Sequence, residues 1–128
     1  MPLRYKSQID RTAFERLAAE IEVEGALETF AVFQTDTQRR LLALETIGLE
    51  AHRGEIQTDA HSLKSTAATF GFTQLATLAA SLEKSAPTIQ DPDFRAMVIE
   101  LGSAFATGLA QFDAAFRQAI PQHAVPCP

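Results

Sequence analysis

The chain has 128 residues, enough for one domain with a real core. Its 46% apolar content is ordinary for a globular protein, and its formal charge of −5, with no basic tract, argues against a nucleic-acid partner. A single cysteine, Cys127, excludes an intramolecular disulfide and a cysteine metal cluster. No run of 18 apolar residues and no leader-like hydrophobic stretch occurs, so the expected location is the cytoplasm, with no membrane partner.

In chain order, residues 1–9 read as a loosely held arm. Asp10 caps a short helix with Phe14, Leu17 and Ile21 inward. A second helix runs from about Val23 to Ile47. Its apolar stripe is Ala26, Leu27, Phe30, Phe33, Thr37, Leu41, Leu44 and Ile47, and its middle is polar at Gln34, Thr35, Asp36 and Gln38. Residues 48–54 form a connection. A third helix, from about Glu55 to Phe70, places Ile56, Ala60, Leu63, Ala67 and Phe70 on one stripe and His61 and Ser65 well away from it. Gly71 stands where a helix needs a left-handed residue to stop.

Thr73 is positioned to cap the next helix, which carries Leu75, Leu78, Ala79 and Leu82 and closes before Pro87. Asp91-Pro92-Asp93 restarts the chain: a capping aspartate, proline at the first helical position and a further acid near the positive helix end. The last helix uses Phe94, Val98, Leu101, Phe105, Phe112 and Phe116, contains Gly102 and Gly108, and reaches toward Ile120 before Pro121. No strand pattern is present. The expected fold is all-α: an antiparallel up-down-up-down four-helix bundle with a short extra N-terminal helix. Residues 1–121 form the domain and 122–128 a flexible tail. The initiating methionine and the tail favour a free-standing protein.

Phosphate-cradling loops, dinucleotide fingerprints, HExxH and paired Cys/His spacings are all missing. What stands out is His61. Lys64 lies one turn along, and Ser65 and Ala68 keep the adjacent side chains short. A neutral imidazole nitrogen is a competent nucleophile near neutral pH, and a nearby lysine offsets the charge of a phosphoryl group attached there. An isolated exposed histidine is most often only solvated; these neighbours single this one out. His52 and His123 are bystanders.

Helix-borne His61-x-Leu63-Lys64-Ser65, Gly71 ten residues on, then Leu75, Leu78 and Leu82-Glu83 resemble the signature of histidine-containing phosphotransfer (HPt) domains. Upstream, the helix from Asp10, Phe30-Ala31-Val32-Phe33 with polar residues after it, and Arg39-Arg40-Leu41-Leu42 fit the same pattern, so the likeness runs from about residue 9 to 116. One position departs from the family, Ser65 standing where glycine is usual. The resemblance implies a carrier without kinase activity. His61 would take a phosphoryl group from a receiver-domain aspartate and hand it to another receiver, with Lys64 balancing charge and a local acceptor orienting the other ring nitrogen. Its partners would be response-regulator receiver domains, including the receiver of a hybrid histidine kinase. The chain would need no metal or cofactor, since Mg²⁺ belongs to the partner receiver, and it would act as a monomer with one bundle face free. Ser65, Ala68 and Gly71 would give clearance and shape. Gln74 is a candidate partner of the histidine or phosphoryl group, with plain solvation as its alternative. Phe33 fits the core stripe and is also a candidate docking aromatic. A non-catalytic helical adaptor and the dimerisation helix of a sensor kinase are the competing readings. Against the second, Ser62 rather than an acid follows His61, and the next proline is Pro87.

Overall fold

The computed structural model describes residues 7–116, and expectations that fall on residues 1–6 or 117–128 lie outside it. Among the described residues all regular structure is helical, in four elements: α1 (Arg11–Thr46), α2 (Arg53–Thr69), α3 (Thr73–Ser85) and α4 (Asp91–Phe116), with one 3₁₀ turn, Glu50–His52, between the first two. Each helix packs on two others: α1 on α2, α2 on α3, α3 on α4, and α4 back on α1. That circuit is a helical bundle around one core.

The α1 element carries its N-cap where the sequence places it: Asp10 Oδ1 accepts from the Thr12 amide at 3.0 Å. Helical geometry is interrupted at Glu22, with φ 70° and ψ 160°, a region costly for any residue with a Cβ. The residues flanking the break, Ile21 and Val23, are both exposed, so Ile21 does not point inward as its spacing suggests. Ala26, Phe30, Phe33, Thr37, Leu41 and Leu44 are buried, whereas Leu27 and Ile47 are half-buried. No basic residue stands in the last turn of α1 to meet its free carbonyls. Arg95 of α4 does so instead, donating to Leu44 O at 3.1 Å, to Glu45 O at 3.0 Å and to Ile47 O.

The α2–α3 turn holds the site in register. Gly71 takes φ +77°, its amide bonds to Ala68 O at 3.1 Å, and the Phe72 amide reaches back to Ala67 O at 2.8 Å. This is a Schellman stop, with Phe72 fully buried beyond it. Gly71 is tight for a second reason: an added Cβ would lie 2.2 Å from Asp10 O. Residues 7–10 are therefore not a loose arm. Ile9 is buried, the Asp10 amide donates to Gly71 O, and the Gln8 amide donates to Gln111 Oε1 at 2.7 Å. Thr73 is the first residue of α3 rather than its cap. Its amide and its hydroxyl both donate to Gln8 O, at 3.0 and 3.1 Å, so a distant backbone carbonyl performs the capping.

All nine phenylalanines are buried, and eight of them touch ring to ring. Phe30 stacks on Phe112 at 3.9 Å between centroids and Phe33 on Phe70 at 4.8 Å, which joins α1 to α4 and to α2. Gly108 explains the glycine inside α4: a Cβ there would meet the Phe72 ring at 2.6 Å.

Candidate functional site

α2 buries Ile56, Ala60, Leu63 and Ala67 against the rest of the bundle, and this fixes what the opposite face presents. His61, Ser65 and Ala68 are exposed there, and the His61 side chain keeps 60% of its surface. On the α3 side of that face stands Glu83. Its Oε2 lies 2.8 Å from His61 Nδ1 and its Oε1 lies 2.7 Å from Lys64 Nζ. One carboxylate therefore engages both the imidazole and the ammonium. Gln57, one turn before His61, donates to Glu83 O at 2.9 Å and ties the same stretch of α3 to α2.

The electrostatics follow from this sharing. The Lys64 hydrogen bond, and after it the His61 one, hold the Glu83 carboxyl below the usual glutamate range, so it is ionised at neutral pH. An ionised carboxylate only accepts, so Nδ1 must carry the proton of the neutral imidazole. That leaves the lone pair on Nε2, for which no protein partner stands among the described residues. Lys64, with 37% of its side chain exposed, pairs with the other oxygen of the same carboxylate. On the other flank of α2, Arg40 of α1 bonds Asp59 at 2.8 Å and Asp36 at 2.8 Å, and Arg39 also pairs with Asp36. Those cations are occupied and face away from Glu83. The Arg40 bond holds the Asp36 carboxyl low.

The remaining expectations divide. His61, Lys64, Ser65 and Ala68 share one surface. Gln74 does not join them. Nine residues along α3 turn the helix by about 180°, so Gln74 and Glu83 lie on opposite sides. Gln74 lines a shallow cavity with Gln8, Leu78, Glu100 and Ser103 on the α4 side. Gly71 is buried, about 15 Å along the helix from His61, where it ends α2 rather than giving clearance at the histidine. Phe33 is not a docking aromatic: it is 4% exposed, packed on Phe70, Phe72 and Phe30. The exposed apolar residue nearest it in sequence is Val32, at 68%. Glu83 is the residue that site reasoning missed, although it stands beside Leu82 in the pattern quoted above.

The family model described as Hpt domain matches residues 28–119, well over half of the chain, and the match takes in the latter half of α1 and the whole of α2, α3 and α4. The chain belongs to the Hpt domain family. Hpt domains are histidine phosphotransfer carriers of two-component systems rather than kinases, and they interact with response-regulator receiver domains. Comparisons with curated proteins and with solved structures gave no match. Within this Hpt domain no described group of three or more His, Cys, Asp or Glu side chains is placed to hold a metal ion. No described helix is long and apolar enough to cross a membrane.

Proposed function

We propose that this chain is a phosphorelay intermediate in which His61 Nε2 accepts a phosphoryl group from a receiver-domain aspartate and passes it to another receiver. The observation that carries the reading is the shared carboxylate. Glu83 fixes the tautomer that leaves the Nε2 lone pair free, and it ties down Lys64, one turn along the same face of α2, as a cation for an incoming phosphoryl group. Ser65 and Ala68, exposed and short, let a receiver approach His61 closely. Ser65 adds a hydroxyl where the family usually has none.

In this reading the four helices run up-down-up-down, a sense supported by the short α2–α3 turn and by contacts that pair His61 with Glu83 across it. The piece before Glu22 acts as a short extra helix. The bundle is a single domain working as a monomer in the cytoplasm. It has no kinase chemistry and no metal or cofactor of its own, with Mg²⁺ supplied by the receiver.

The test is incubation with the phosphorylated receiver domain of a hybrid histidine kinase. The expected product is acid-labile, base-stable label on this chain, absent from His61→Gln. Label of the same kind on His61→Gln contradicts the assignment.

A further inference from the structure

We infer that the Ser65 hydroxyl donates a hydrogen bond to the phosphoryl group carried on His61 Nε2, and so shifts the phosphoryl equilibrium toward this chain. The inference rests on His61 being the phosphoryl carrier.

The placement follows from helix geometry. Around the axis of α2, Gln57 and Lys64 lie about 40° and 60° to one side of His61, and Ser65 lies about 40° to the other. Both residues on the first side reach Glu83: Gln57 bonds its carbonyl at 2.9 Å and Lys64 its Oε1 at 2.7 Å. His61 Nδ1 turns to the same residue. The Glu83 side of the ring is therefore taken, and Nε2 is left to the side on which Ser65 stands. Helical neighbours four apart have Cβ atoms about 5–6 Å from one another, and helical side chains lean toward the N-terminus, so Ser65 leans toward His61.

The hydroxyl is also uncommitted. The Thr29, Thr69 and Thr77 hydroxyls each turn back to the carbonyl four residues earlier, at 2.8, 3.1 and 2.9 Å. Ser65 is exposed, and no partner for its hydroxyl stands among the described residues. The Lys64 ammonium, by contrast, is shared with Glu83, which competes with the phosphoryl group for it. Thr58 is the other exposed hydroxyl on this side, about 60° round and one turn earlier, and it leans away from His61.

In the transfer the Nε2 lone pair bonds to phosphorus, the bond from phosphorus to the aspartyl oxygen breaks, and its electron pair stays on that oxygen. Ser65 keeps its proton in both directions. It exchanges a bond to water for one to an anionic phosphoryl oxygen. That bond exists only in the phosphorylated chain, so it moves the equilibrium. A residue that merely gives a receiver clearance alters the forward and reverse rates alike and leaves the equilibrium where it was.

The experiment brings the full chain to equilibrium with phosphoramidate and ammonium, in the wild type, Ser65→Ala, Ser65→Gly and Thr58→Ala. Here Nε2 displaces ammonia, which leaves with the electron pair of the broken phosphorus–nitrogen bond. No receiver is present, so docking does not enter. The ³¹P signal missing from His61→Gln reports the phosphorylated ring, and its intensity against phosphoramidate gives the ratio. Ser65→Ala and Ser65→Gly are expected to lower that ratio about three- to tenfold, and Thr58→Ala to leave it unchanged. A wild-type ratio in Ser65→Ala, or a loss confined to Thr58→Ala, overturns the inference while leaving His61 as carrier. Label taken from a phosphorylated receiver that survives His61→Gln overturns the carrier assignment and this inference with it.

Discussion

Lys64 reaches Glu83 from the exposed face of α2 and contributes nothing to the core, so its loss separates chemistry from folding. Lys64→Ala is expected to slow phosphoryl transfer about tenfold or more, the loss of one charge-assisted contact to the group in flight. Helical circular dichroism is expected to be unchanged. A large loss of helicity would contradict its placement. Three carboxyls are held low: the exposed Glu50 by Arg53, and two nearer the candidate site. Glu83, held low first by Lys64 and then by His61, and Asp36, held low by Arg40, each have a depressed folded pKa. Such groups stabilise the fold above their unfolded pKa, near 4 by the usual values, and that contribution disappears as pH falls through the folded value. Both are partly exposed, so solvent screening keeps the effect modest. Urea midpoints at pH 7 and pH 3 should therefore differ less in Asp36→Asn/Glu83→Gln than in the wild type. An equal difference in both would show that neither pairing stabilises the fold.

The helices are set by contacts their own sequences do not announce. α4 keeps Gly108 because Phe72, the residue that follows the α2 stop, fills the space a side chain would take. Gly102, six residues earlier in the same helix, has nothing within 4 Å of an added Cβ. Alanine at these two positions should thus have opposite effects. Gly102→Ala is expected to stabilise by roughly 0.5–1 kcal/mol, the helix-propensity gain. Gly108→Ala is expected to destabilise by about 1–3 kcal/mol as the ring is displaced. Thermal midpoints of the two variants check this, and a shift in the same direction for both would contradict the packing of Phe72 against α4. Arg95 and Gln8 make the same point about helix ends. The carbonyls that close α1 and the amides that open α3 are satisfied by residues remote in sequence, so local capping rules place Asp10 correctly and Thr73 wrongly.

Across the whole molecule, what could be read in advance is what repeats along the chain. Apolar residues three and four apart mark the helices, and the spacing of His61 and Lys64 on one of them marks the candidate face. The unread part depends on which helix lies opposite. Glu83 is twenty-two residues from His61, and nothing local distinguishes it from Glu100 or Glu45. A signal did exist: His61 and Glu83 stand equally far from Phe72, as residues facing one another across a tight helical hairpin must. The same dependence on neighbours put Phe33 in the core, because the inner stripe of α1 meets Phe70 and Phe72 rather than solvent. The arm at residues 7–10 is held through backbone groups of Gln8 and Asp10, which leave no mark on side-chain pattern.

The claim on which the rest depends is that His61, alone among the three histidines, carries the phosphoryl group. Mass spectrometry of the intact chain after exposure to a phosphorylated receiver, with fragments sequenced under alkaline conditions, tests it directly. The account predicts one phosphoryl group, on the peptide containing His61, and none on His61→Gln. Phosphoryl found on His52 or His123, or retained in His61→Gln, would contradict it.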